Sequence, residues 1–140
     1  MNTLVRIKEK LDEIIILHEE LLEDLPSYLE FSSERVLRRG IEKTIELIAD
    51  SIIDAALMVI SLRGLPKPAS SRDAIALLEK HGLLGKTLSH SIADLVSFRN
   101  LLVHRYGKVD MKEEYENIRE CHEDILSFVK SVEKALRNKK

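Results

Sequence analysis

The chain has 140 residues, 44% hydrophobic and 33% charged, which is the composition of a folded domain and not of a disordered segment. Lys and Arg number 22 against 24 Asp and Glu, a formal net charge of −2, so bulk charge cannot coat nucleic acid and any such contact must be local. A lone cysteine, Cys121, excludes an intrachain disulfide and zinc modules built on paired cysteines, and points to the cytoplasm.

The longest apolar runs, such as Ile14-Ile15-Ile16-Leu17 and Ala55 to Ile60, fall far short of the ~20 residues that cross a bilayer. Charges at Arg6, Lys8, Glu9 and Lys10 stand where a signal peptide would carry its apolar core. The chain is therefore expected to be soluble, complete and without a membrane partner. Only 5 Gly and 3 Pro leave little material for the turns of a β-rich fold, and an all-α class is expected.

Leu4, Ile7, Leu11, Ile14, Ile15, Leu21, Leu22 and Leu25 recur at helical steps and predict a first amphipathic helix that stops at Pro26. A second helix is expected from near Ser32 or Ser33 to Arg63, with Leu37, Ile41, Ile45, Ile48, Ile52, Ala55, Val59 and Leu62 as one stripe. Leu47, Ile53, Leu57 and Ile60 add a second apolar side. Such a helix is either central or meets another subunit on its far face. Gly64 ends it, and Pro66 and Pro68 stiffen the linker.

Ser70, with Asp73 at the box position, caps a short helix carrying Ala74, Ile75, Leu77 and Leu78 and stopped at Gly82. Another helix follows Gly85, with Leu88, Ile92, Leu95, Val96, Leu102 and Val103 at helical spacing, and ends between His104 and Gly107. Asp110, with Glu113, caps the last helix, whose seam is Tyr115, Ile118, His122, Ile125, Val129, Val132 and Leu136. The expected architecture is one domain over residues 1–140, an up-and-down bundle of four or five helices.

No Gly-rich phosphate loop, HExxH or GxSxG is present, and the five histidines lack metal-ligand spacing. His18, His81, His90 and His122 read as ordinary helix or helix-end residues. Asp50 and Asp54, one turn apart, are half a metal site, an orienting pair for a basic side chain, or a partly solvated flank, and the flank is the favoured reading. The unusual stretch is Ser97-Phe98-Arg99-Asn100-Leu101-Leu102-Val103-His104-Arg105-Tyr106-Gly107, which gathers hydrogen-bonding groups at the end of an apolar helix.

Asn100 and His104 are four residues apart and share a face, whereas Arg99 and His104 stand about 140° apart on a regular helix. A long arginine closes that angle if the helix loosens near His104, and Gly107 allows a turn there. Cutting RNA without a metal needs a base for the 2′-OH proton, an acid for the leaving 5′-oxygen and a cation for the phosphoryl charge. Histidine serves both proton roles near neutral pH, and the planar fork of arginine matches phosphate oxygens. Asn100 can set the imidazole tautomer or bind phosphate, and Tyr106 can donate to phosphate or stack on a base. One histidine per chain is thin for two proton transfers; a homodimer supplies a second. The plainer alternative is that these groups satisfy carbonyls and the helix dipole at a helix end.

Arg99-x4-His104-x-Tyr106, within RNLLVHRY, resembles the Rx4HxY motif of HEPN domains, and more narrowly the HepT-like ribonuclease toxins paired with minimal nucleotidyltransferase (MNT) antitoxins. The likeness extends to the layout: a long helix opening at Glu34-Arg35-Val36-Leu37-Arg38-Arg39, a short helix ending in His81-Gly82-Leu83-Leu84, the motif helix, and a closing helix after Val109-Asp110. The resemblance implies a HEPN-like bundle that dimerises with its motifs in one cleft, and metal-independent endoribonuclease activity with no cofactor. Arg99 and His104 would be catalytic, supported by Asn100. Tyr106 matches the tyrosine that a transferase partner modifies with adenylate. Related HEPN proteins also act as non-catalytic modules that bind a nucleotidyltransferase or a nucleotide, which is the alternative function.

Arg35, Arg39 and Lys43, with Arg38 beside them, form a row at steps of four. Together with Arg105 they are candidate RNA contacts. The competing and favoured reading of the row is a solvated face paired with Glu34, Glu42 and Glu46.

Overall fold

The computed structural model describes residues 2–104 and 110–137. They form six helices: α1 (Thr3–Asp24), α2 (Tyr28–Ser33), α3 (Arg35–Leu62), α4 (Ser71–Lys80), α5 (Lys86–His104) and α6 (Met111–Arg137), with no strand among the described residues. The all-helical bundle follows the apolar periodicity closely. Ile7, Leu11, Ile14 and Leu21 of α1, Ile41, Ile45, Ile48, Ile52, Ala55 and Val59 of α3, and Tyr115, Ile118, Ile125, Val129 and Val132 of α6 are all buried. They meet in one core.

Caps mark the helix ends where small polar residues and glycines stand. The Ser70 hydroxyl accepts from the Asp73 N–H at 3.1 Å. Asp110 Oδ1 accepts from the N–H groups of Lys112 (2.9 Å) and Glu113 (3.1 Å). Gly64 (φ +65°) and Gly82 (φ +75°) take the left-handed conformation that closes α3 and α4.

One element is additional to the expected set. α2 arises because Ser27 and Glu30 form a reciprocal capping box, with Glu30 N–H on the Ser27 hydroxyl (3.2 Å) and Ser27 N–H on Glu30 Oε1 (3.3 Å). Ser32 and Ser33, expected to open the long helix, instead finish this short one. Both hydroxyls donate back to the Leu29 carbonyl, at 3.1 and 2.6 Å, a local bond that competes with helix continuation. α3 therefore starts at Arg35. Arg38 ties the junction by donating from Nη1 to the carbonyls of Phe31 (3.1 Å) and Ser32 (3.3 Å).

α3 packs against α1, α2, α4 and α5, and is the central helix. Its second apolar side is split: Ile60 is buried, whereas Leu47 and Leu57 stay 39% and 41% exposed. Cross-bundle contacts set the directions. Asp50 pairs with Arg99, Lys10 approaches Asp54 at 3.7 Å, and the Tyr115 hydroxyl donates to the Pro26 carbonyl. α3 thus runs antiparallel to α1 and α5, and α6 antiparallel to α1. One pole of the bundle holds α2, the start of α3, the end of α5 and the start of α6. The opposite pole holds the ends of α3, α4 and α6 and the start of α5.

His18 departs from its reading as an ordinary helix residue. It is only 3% exposed, its Nε2 has no hydrogen-bond partner, and its ring lies 6.1 Å from that of His122 on α6. Burial first, and the neighbouring His122 charge second, push its pKa below the ordinary value, against weaker upward pulls from a backbone hydrogen bond at His122 and from Glu19. The unfolded chain takes up this proton as pH falls through about 6.5, while the folded chain resists it. Stability from this group is complete above that pH and is lost as pH falls toward the lowered folded value. The urea midpoint is expected to drop between pH 7.5 and 5.5, and His18→Leu to flatten part of that drop; an unchanged pH profile in the variant would contradict the assignment.

Candidate active site

α5 carries the site, and its register is set from both ends. At its start, Gly85 O accepts from Ser89 N–H at 2.9 Å. Midway, Arg72 of α4 donates from Nη1 to the Ala93 carbonyl at 3.1 Å and to the Ser97 hydroxyl. Ile92, Leu95, Val96 and Leu102 bury the inner face. Arg99 stands one turn on from Leu95 and Val96 on that same side and reaches along it to the edge facing α3, Asn100 beside it is exposed, and His104, also exposed, is the last residue of α5.

Arg99 does not swing freely. Its Nε donates to Asp50 Oδ1 of α3 at 3.0 Å, and its Nη1 to Asn100 Oδ1 at 3.0 Å. Two of five guanidinium N–H donors are engaged in these contacts. The Arg99 side chain is 26% exposed and that of Asp50 is 46% exposed, so the pair stands at the surface of the α3–α5 seam. Asp50 thus orients a basic side chain, while Asp54 of the same pair of carboxylates is exposed and approaches Lys10. Because the Asp50–Arg99 pair is solvated, it contributes less than ~1 kcal/mol to stability. Its effect is to restrict where the guanidinium can go. Asp50→Asn is expected to leave the denaturation midpoint nearly unchanged and to lower any RNA cleavage roughly three- to tenfold, a loss of about 0.6–1.4 kcal/mol of positioning. Unchanged turnover in Asp50→Asn would remove Asp50 from the site.

The cationic row on α3 is partly as expected. Arg35, Arg39 and Lys43 are exposed, and Lys43 lies 4.0 Å from Glu46. Lys43 and Asp50 are seven residues apart and share a helical face. Antiparallel packing puts Lys43 toward the same pole as His104. Arg38 points back to α2 instead of into the row. Glu42, expected among the row's surface partners, is 2% exposed and so belongs to the interior, as does Glu114. Arg105 and Tyr106 lie outside the described residues.

A cavity of about 330 Å³ opens between α5 and α6 beside Phe98, lined by Asp94, Glu120, Cys121 and Asp124. Its carboxylates repel phosphate, so this groove is not a path for RNA. Burial pushes the Cys121 thiol up to about 12, which makes it inert as a nucleophile at neutral pH. Burial also raises the Asp124 carboxyl, helped by Glu123. Among the described residues no group of three or more His, Cys, Asp or Glu side chains is arranged to hold a metal ion, and no helix is long and apolar enough to cross a membrane.

The site is thus an arginine held beside an asparagine, five residues before a helix-terminal histidine, within an all-helical bundle. The family model described as ribonuclease HepT-like matches residues 11–132. The chain belongs to the HepT-like ribonuclease family. An mRNA nuclease HepT from Shewanella oneidensis is 25% identical over 100 residues, covering 71% of this chain and 75% of that protein. A solved tri-AMPylated HEPN toxin of Shewanella oneidensis, in complex with an MNT antitoxin, shares the fold with a TM-score of 0.88 at 22% identity, over 96% of this chain and 99% of that one. A cytosolic protein of unknown function from Bacillus subtilis, YutE, superposes with a TM-score of 0.75 at 17% identity, over 92% and 90% of the two chains. The HepT-like bundle is therefore common to proteins with and without an assigned activity, and what this chain does rests on its own side chains.

Proposed function

We propose that this HepT-like chain is a metal-independent endoribonuclease toxin. The observation that carries the proposal is Arg99, held at the bundle surface by Asp50 and Asn100 five residues before the exposed His104. In this reading His104 takes the 2′-OH proton, the 2′-oxygen attacks phosphorus, and the P–O5′ bond breaks as the 5′-oxygen gains a proton. Arg99 bears the charge that accumulates on the phosphoryl oxygens, and Asn100 holds Arg99 and the bound phosphate. Arg105, Arg35, Arg39 and Lys43 contact flanking phosphates. No metal or cofactor takes part.

The second proton carrier is His104 of another copy. Leu47 and Leu57 share a face of α3 with Asp50, and Val103 lies one turn beyond Arg99 on α5; these three side chains are 39–41% exposed. That apolar surface favours a homodimer with two motifs in one cleft. Residues 1–140 act as one HEPN-like domain in the cytoplasm. A nucleotidyltransferase antitoxin of MNT type silences the toxin by adenylating Tyr106, which sets negative charge and bulk where an RNA phosphate must lie. The AMPylated state and MNT partner of the solved relative support this step.

Expression without the antitoxin is expected to arrest growth, and incubation with the transferase and ATP to add adenylate-sized mass increments that Tyr106→Phe abolishes. Harmless expression together with co-purification of a transferase and nucleotide binding would favour the non-catalytic module instead.

A further inference from the structure

At the pole remote from His104, three basic side chains from three elements meet around a cavity of about 380 Å³. Arg63 follows the end of α3, His81 caps α4, and Lys134 comes from the last turn of α6, with Ser131 and Gly85 completing the wall. No carboxylate is among the described lining residues. The Arg63 guanidinium is fixed in place, because its Nη2 donates to the Ala135 carbonyl at 2.7 Å. Gly82, at φ +75°, turns the chain tightly from α4 toward α5.

The cavity also faces the start of α5. Gly85 lines it and is the residue from which that helix begins, and the first turn of α5 carries no acidic residue. The partial positive charge of a 19-residue helix therefore adds to two side-chain cations and an imidazole. Lys80 and Lys86 stand exposed nearby. Glu133, the nearest carboxylate in sequence to Lys134, lines the separate groove beside α1. In a chain of net charge −2, so local an excess of cations is a segregation of charge. A guanidinium, an ammonium, an imidazole and a hydroxyl around one hollow match the donor needs of a phosphate.

We propose that this cavity binds a backbone phosphate of RNA, as an anchor apart from the cleavage motif. The polymer's identity rests on the ribonuclease reading; the phosphate site rests on the cavity alone. Eighteen helical rises separate Lys86 from His104, about 27 Å. A stacked strand advances about 3.4 Å per nucleotide, so the anchored phosphate lies roughly eight nucleotides from the scissile one. Asp54 and Asp94 are exposed between the two sites. The cavity and the motif are thus two separate cationic stations and not a continuous track.

The test uses the full chain silenced by His104→Ala, a labelled 12-nucleotide single-stranded RNA, and fluorescence anisotropy over a salt series. Adding Lys134→Glu is expected to weaken binding about tenfold, and adding Lys134→Ala to reduce the slope of log affinity against log salt by about 0.7. His81→Gln should act in the same direction as Lys134→Ala. Thermal midpoints of the variants check that the fold is kept. Identical affinities and slopes in parent and variants would overturn the anchor and leave the ribonuclease reading standing. Retained RNA affinity in the variants, with inorganic phosphate shifting the His81 resonances, would assign the cavity to a free phosphate compound and overturn the RNA contact. A tenfold loss of affinity in Lys134→Glu, in a protein whose wild type cuts no RNA, would uphold the anchor and end the ribonuclease reading.

Discussion

Replacing His104 with alanine is expected to lower RNA cleavage by about 10²- to 10⁴-fold, the usual contribution of a positioned proton carrier. The measurement is single-turnover cleavage of a labelled RNA by purified wild type and variant. The position of His104 makes a structural side effect small: it is exposed at the last residue of α5. Loss of a helix-end interaction costs about 1 kcal/mol or less. Stability and activity should therefore separate, with a nearly constant urea midpoint and a collapse in rate. The same substitution should abolish growth arrest on expression. Equal loss of stability and activity would instead mean that the imidazole only finishes the helix.

Arg99→Ala is expected to cost roughly 10²–10³ in rate, the range seen when a donor to developing oxyanion charge is removed. Arg99→Lys tests geometry more sharply. A lysine keeps the positive charge but loses the planar fork. In this structure the fork donates from Nε to Asp50 and from Nη1 to Asn100, both at 3.0 Å. One ammonium on a flexible stem cannot reproduce both contacts and still present donors to a phosphate. Arg99→Lys should therefore recover little of the rate while preserving the fold. Full activity in the lysine variant would show that charge alone is needed at this position. Asp50→Asn should fall between these variants and wild type, because Asp50 acts through Arg99.

The bundle was readable from the chain because each amphipathic helix hides its apolar stripe from water, and that stripe recurs at the helical period. Ile41, Ile45, Ile48, Ile52, Ala55 and Val59 follow that rule and are all buried. The caps at Ser70 and Asp110 and the glycine stops at 64 and 82 were readable for the same local reason. α2 was not, because Ser32 and Ser33 look the same at the end of one helix as at the start of the next. The decisive capping box lies upstream, at Ser27 and Glu30.

The motif stood out as polar residues at the end of an apolar helix, but its setting did not. The bond between Arg99 and Asp50 spans 49 positions, and no local spacing reports a contact at that range. Glu42 looked like one more charge on a mixed surface, and the packing of α3 against its neighbours turns it inward. The basic side chains at Arg63, His81 and Lys134 are scattered over the chain and meet only because three helices end at one pole. Positional periodicity reveals faces; it does not reveal which faces meet.

Analysis of the ends left on RNA cut in excess EDTA tests the central claim most directly. If the 2′-oxygen attacks phosphorus with imidazole and guanidinium assistance alone, the wild-type chain cuts RNA under chelation and leaves 2′,3′-cyclic phosphate and 5′-hydroxyl ends. Intact RNA under those conditions, or fragments carrying 5′-phosphates, would contradict it.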